Sequence, residues 1–212
     1  MNRTPIPRLN TALLTAGAWA GPVYVVVGST QALTREGFNP TSHAWSLLTL
    51  GDLGWIQVAN FVVTGLLTLA LAIGIRRQLN PGPAGTWGAL LVGVFGLSLV
   101  GAGLFPPDPM AGFPPGSPGG SFTIHGMLHF ALGGVGFLAQ IVGCFIFARR
   151  FAGRKEPGWA WFSLATGLAF GAAFFGIASG SGSVWIIVAF TVAIVLLFTW
   201  MTLLALRLRL GR

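Results

Sequence analysis

Six apolar stretches, at residues 12–33, 56–75, 87–104, 124–148, 159–178 and 184–206, dominate this 212-residue chain. Each is close to the 20 or so helical residues needed to cross about 30 Å of hydrocarbon. Apolar residues make up 54% of the sequence and charged residues 8%, too little polar material to cover a soluble domain of this size. Transmembrane barrel strands alternate apolar and polar side chains, whereas the run from Val184 to Phe198 is apolar on every side except at Thr191. The expected fold is therefore an all-α membrane protein: one six-helix transmembrane bundle with two long loops, 34–55 and 105–123.

The net charge of +8 would suggest nucleic acid in a soluble protein, but here the cations follow the membrane. Arg3 and Arg8 precede the first span, and Arg76 and Arg77 follow the second. Arg149, Arg150, Arg154 and Lys155 follow the fourth, and Arg207, Arg209 and Arg212 end the chain. The intervening loops hold only Arg35 among basic residues. The positive-inside rule then puts both termini in the cytoplasm and the two long loops outside, with no need of a nucleic-acid partner. Tryptophans agree, since indoles favour the headgroup boundary: Trp55 and Trp185 open spans on one side, and Trp87, Trp159 and Trp161 on the other. Ala18, Trp19 and Ala20 resemble a signal cleavage site, but the apolar run continues past them, so the first span is read as an uncleaved helix. Cys144, the single cysteine, lies inside a span and offers no disulfide framework.

Within the spans, periodicity sorts faces. Gln57, Asn60, Thr64 and Thr68 share one face of the second helix, and His125, His129, Gly133, Gly136, Gln140 and Gly143 share one face of the fourth. Polar groups are costly against hydrocarbon, so both faces are expected to turn toward one interior. The pairs Gly167 with Gly171 and Gly176 with Gly180 allow close helix packing, within the bundle or in a homodimer. The loops share an echo, Gly37-Phe38-Asn39-Pro40-Thr41-Ser42 and Gly112-Phe113-Pro114-Pro115-Gly116-Ser117, consistent with duplicated helical hairpins.

All three histidines and three of the four carboxylates fall on the expected outer side: His43, His125 and His129, with Glu36, Asp52 and Asp108. His125 and His129 stand one helical turn apart, about 6 Å along the axis, a spacing that can hold one divalent metal. His43, Asp52 or Asp108 would be the third ligand, and an open position would activate water. The same residues also suit a hydrogen-bonded structural cluster, or a pocket for lipid, a small hydrophobic ligand or a membrane-protein partner. Bis-histidine haem ligation is disfavoured, because neighbours on one helix cannot occupy opposite axial positions. Energised transport is disfavoured too, because no charge sits mid-span and no phosphate-cradling loop is present.

Two blocks carry a family resemblance. The first runs from Gly37, Phe38 and Pro40 through Ser46, Leu47 and Leu48 to Gly51, Asp52, Leu53, Gly54, Trp55, Ile56, Gln57, Asn60 and Phe61. The second holds Gly103, Leu104, Phe105, Asp108, Pro109, Gly112, Phe113 and Pro114, then His125, Gly126, Leu128, His129 and Phe130. They resemble the bacterial membrane proteins catalogued as domain of unknown function 998. The resemblance implies a six-helix bundle in the plasma membrane, distantly similar to eukaryotic membrane modulators of autophagy, and brings no biochemical activity with it. Metal-dependent hydrolysis at the outer leaflet and non-enzymatic ligand binding both remain open on these residues.

Overall fold

The structure, a computed structural model, describes residues 8–117, 119–120 and 122–211. Arg3 and Arg212, counted above among the flanking cations, lie outside the described residues. Every regular element of the described chain is a helix, with no strand among the described residues. Helices α1 (Arg8–Ala18) and α2 (Ala20–Thr34) form the first span, followed by α3 (Gly54–Leu79), α4 (Ala89–Leu104), α5 (Ile124–Gly153), α6 (Pro157–Ala178) and α7 (Val184–Arg209). Six spans long and apolar enough to cross a membrane result. Several helices outrun the apolar stretches, because α3, α5 and α7 continue into their basic flanks.

The break between α1 and α2 follows from Pro22. Proline has no N–H to donate to the carbonyl four residues back, which here is Ala18. An unpaired carbonyl in a span is costly, and the Thr202 hydroxyl on α7 donates to it at 3.1 Å. Other boundaries are equally local. The Thr123 side chain caps α5 by accepting from the Gly126 amide at 3.1 Å, and Pro157 opens α6, where its missing N–H is no loss.

The spans pack in chain order as a closed ring: the first on α3, then α4, α5, α6 and α7, which returns to the first. Apolar burial drives helix association weakly in lipid, so close contact and van der Waals packing must hold the ring. At the α3/α4 crossing, a side chain on Gly65 would come within 2.7 Å of the Gly96 carbonyl oxygen. Of the glycines singled out above, Gly167 packs on Phe145 and Cys144, Gly171 on Ile141 and Gly176 on Ile186 of the same chain, whereas Gly180 is exposed and packs on nothing among the described residues. Aromatic rings fill the middle. Tyr24 stacks on Phe198 at 4.4 Å, Phe198 meets Phe95 at 5.9 Å, and Phe137 touches Phe95, Phe170 and Phe190. The centre of the ring is thus a packed core.

Two ends result, a basic end and a loop end. At the basic end, Glu156 pairs with both Arg154 and Arg207. The Arg207 guanidinium lies over the Phe151 and Trp159 rings, at 5.2 and 4.8 Å.

Candidate functional site

At the loop end the two echoing segments face each other. In both, a turn closes from a phenylalanine amide to the carbonyl three residues back, Phe38 to Arg35 and Phe113 to Met110, each at 3.1 Å. Both turns carry glycine in the left-handed region just before the phenylalanine, Gly37 at φ 73° and Gly112 at φ 80°. The phenylalanines meet edge to face at 5.3 Å, and Gly37 lies under Pro115.

His43 belongs to this joint. Its Nδ1 accepts from the Asn39 amide at 2.9 Å, which leaves Nε2 as the protonated nitrogen, donating to the Ala111 carbonyl at 3.0 Å. Both ring nitrogens are engaged. Arg35 ties down the remainder of the first loop by donating to the carbonyls of Leu48 and Leu50. Burial lowers its pKa and the nearby Asp52 carboxylate opposes that shift.

Asp108 ties the second loop to α5. Its carboxylate accepts from the Thr123 hydroxyl at 2.7 Å and the Thr123 amide at 2.9 Å. The hydroxyl bond, then the amide bond, hold its pKa below the usual carboxylate value, and His125 adds a smaller attraction. His129 is buried against the end of α4, its Nδ1–H shared between the carbonyls of Phe105 at 2.9 Å and Ala102 at 3.2 Å. His125 is exposed and stacks near the Phe105 ring at 5.8 Å. Both histidines therefore flank Phe105.

Among the described residues, no three His, Cys, Asp or Glu side chains come together as metal ligands. A centre on His125 and His129 recruiting His43 would have to break one of the two bonds that its ring nitrogens make. Asp52 and Glu36 are exposed. The loop end is a packed cap, with Phe113 1% and His43 4% exposed.

The interior faces lie below the cap. Gln57, Asn60, Thr64 and Thr68 are all buried, and they form one hydrogen-bonded chain. Gln57 Oε1 accepts from Gln31 of α2 at 2.8 Å and from Asn60 at 3.1 Å; Asn60 also donates to the Tyr24 carbonyl, and Thr64 donates to Asn60. Gln31 escaped the sequence reading. A lone glutamine in an apolar span was its only signal. The chain is incomplete, since Gln31 Oε1 and Gln57 Nε2 are buried without a partner.

On α5 the polar face is buried at His129, Gly136, Gln140 and Gly143, while His125 reaches solvent at the helix start. The two polar faces do not pack directly, because α4 lies between α3 and α5. The two helices approach each other at the loop end, where the Phe61 ring of α3 and the His129 ring of α5 are 6.4 Å apart. Gln140 is wholly buried, and neither its amide nitrogen nor its oxygen finds a partner among the described residues.

Two grooves open on the sides of the bundle. One lies between α5 and α6 at the basic end; the other, between α6 and α7, is apolar and includes Gly176, Trp185 and Ala189. None of His43, Asp52, Asp108, His125 and His129 lines either groove.

An all-helical ring of six spans around a packed, largely apolar core, closed at one end by interlocked loops, defines a multi-pass membrane protein. Over residues 18–207 the chain matches the family described as protein of unknown function (DUF998), and it belongs to that family. Comparison with curated proteins and with solved structures finds no match.

Proposed function

We propose that this protein is a non-enzymatic binding protein of the bacterial plasma membrane, with its basic end in the cytoplasm and its loop end outside. Its ligand is a lipid or small hydrophobic molecule that sends a polar group to Gln140 on the interior face of α5, with the Gln57 and Asn60 face of α3 as a second polar surface inside the bundle. The outer residues His43, Asp108 and His129 hold the loop cap rather than reacting themselves.

The observation that carries this reading is Gln140. A primary amide offers two donors and an acceptor, and leaving them unmet in a low-dielectric interior costs about 1–3 kcal/mol on protein scales. A hydroxyl, carbonyl or phosphoryl group on a ligand would supply the missing partners. The open valences of Gln31 and Gln57 extend the same demand along α2 and α3.

Native mass spectrometry of the full chain from mild detergent tests the proposal. The expected result is a stoichiometric added mass on the wild type that is lost in Gln140→Leu. Removing an unpaired amide should by itself raise the unfolding temperature. A bare wild-type mass, together with a Gln140→Leu variant that is simply more stable, would overturn the reading.

A further inference from the structure

The groove at the basic end combines two features that the interior site lacks, unpaired positive charge and direct access from the bilayer. It is a concavity of roughly 540 Å³ between α5 and α6. Phe145 and Arg149 line it from α5, Ala160, Trp161 and Leu164 from α6, and Lys155 from the connection between them. Helical spacing puts Phe145 one turn from Arg149, and Ala160 and Trp161 one turn from Leu164, so each wall runs from a polar mouth into the apolar zone. Further along, the groove is pinched where Gly167 packs on Phe145 and Cys144.

The mouth is cationic. Glu156 also borders it, but its two oxygens are taken by Arg154 and Arg207. Neither Arg149 nor Lys155 has an ion-pair partner among the described residues, and both are exposed. Lys155 closes α5 at φ 58°, a left-handed position that glycine would occupy without strain. Lysine there adds a cation at the mouth. No side chain caps the first turn of α6, which begins at the groove with Pro157. Trp161 at the mouth is 68% exposed, and an exposed indole at the end of a span favours the headgroup boundary.

We propose that this groove seats one anionic phospholipid, its phosphate between Arg149 and Lys155 and an acyl chain along Phe145, Ala160 and Leu164. Charge complementarity selects the occupant. A zwitterionic lipid would bring its own cation to a mouth that already holds two free ones, whereas phosphatidylglycerol brings a net negative charge. The apolar walls separate a lipid from a free phosphate, which could use only the mouth.

The full chain in mild detergent, incubated with phosphatidylglycerol or phosphatidylcholine and read by native mass spectrometry, tests this. Phosphatidylglycerol should be retained in clear preference. Each cation removed should weaken its retention roughly fivefold, and the Arg149→Gln/Lys155→Gln pair about 25-fold. Lys155→Gly removes one charge while easing the helix end, so it should lose about fivefold without loss of folding. The exposed cations Arg77 and Arg209 provide the control: Arg77→Gln/Arg209→Gln should keep the preference. Equal retention of the two lipids would overturn the proposal, as would an equal loss in the control pair. Competition by glycerol phosphate as effective as that by the lipid would overturn the acyl-chain part and with it the assignment. The added mass expected from the Gln140 site is unaffected by Lys155→Gly, so failure here is distinguishable from failure there.

Discussion

His43 donates from Nε2 to the Ala111 carbonyl across 3.0 Å, bonding the first long loop to the second. The ring is buried and accepts from Asn39 as well, so His43→Ala removes two hydrogen bonds and leaves the Ala111 carbonyl and the Asn39 amide without this partner. A cost of about 1–3 kcal/mol is expected, with faster hydrogen exchange in both loops at once. Faster exchange confined to the first loop would mean that the joint does not couple them.

Asp108 gives the cap a defined pH response. Its pKa is depressed in the folded protein, chiefly by the Thr123 hydroxyl and then by the Thr123 amide. Such a group contributes stability above its unfolded pKa of about 3.9 and loses that contribution as pH falls through the lower folded value. The difference in unfolding temperature between wild type and Asp108→Ala should therefore persist from neutral pH down to about 4 and shrink below it. A difference that disappears by about pH 5 would contradict the assignment.

Gln57 is the hub of the interior chain, accepting from both Gln31 and Asn60. Gln57→Leu takes an acceptor from both Gln31 and Asn60, leaving the Gln31 amide only its bond to the Val27 carbonyl, and should destabilise by about 1–3 kcal/mol. Replacing both partners costs less than stranding one, so Gln31→Leu/Gln57→Leu should be more stable than Gln57→Leu alone. Thermal unfolding of the three proteins in one detergent decides the point; a double variant less stable than the single would refute it.

Pro22 and Thr202 are coupled through one carbonyl. Thr202→Val leaves the Ala18 oxygen without its donor and should cost about 1 kcal/mol. With Pro22→Ala in place, the restored N–H can serve that oxygen, and the cost of losing Thr202 should fall toward zero. Additive effects in this double-mutant cycle would show that the hydroxyl does not compensate for the proline.

Much of this architecture is legible in the linear chain because the bilayer imposes it. Hydrocarbon thickness sets the span length and headgroups draw tryptophans, so all six spans can be placed before any packing is known. Helical period likewise predicts that Gln57, Asn60, Thr64 and Thr68 are buried together, since a polar face has nowhere else to go. That logic weakens at the membrane boundary, where water is available, and there His125 is exposed although it shares a face with buried His129.

Partnership between distant residues is a different kind of information. Residue types show that the loop end is rich in histidine and carboxylate, but folding commits both ring nitrogens of His43, both carboxylate oxygens of Asp108 and the Nδ1 of His129 to backbone and threonine partners. The Gln31 bond to Gln57, the α1/α2 break answered by Thr202, and the groove beside Arg149 and Lys155 depend on which helix lies next to which. Hydropathy cannot encode that choice, because every apolar helix face is equally at home in lipid. Close contacts such as Gly65 on Gly96, and hydrogen bonds with no water to replace them, select among the arrangements.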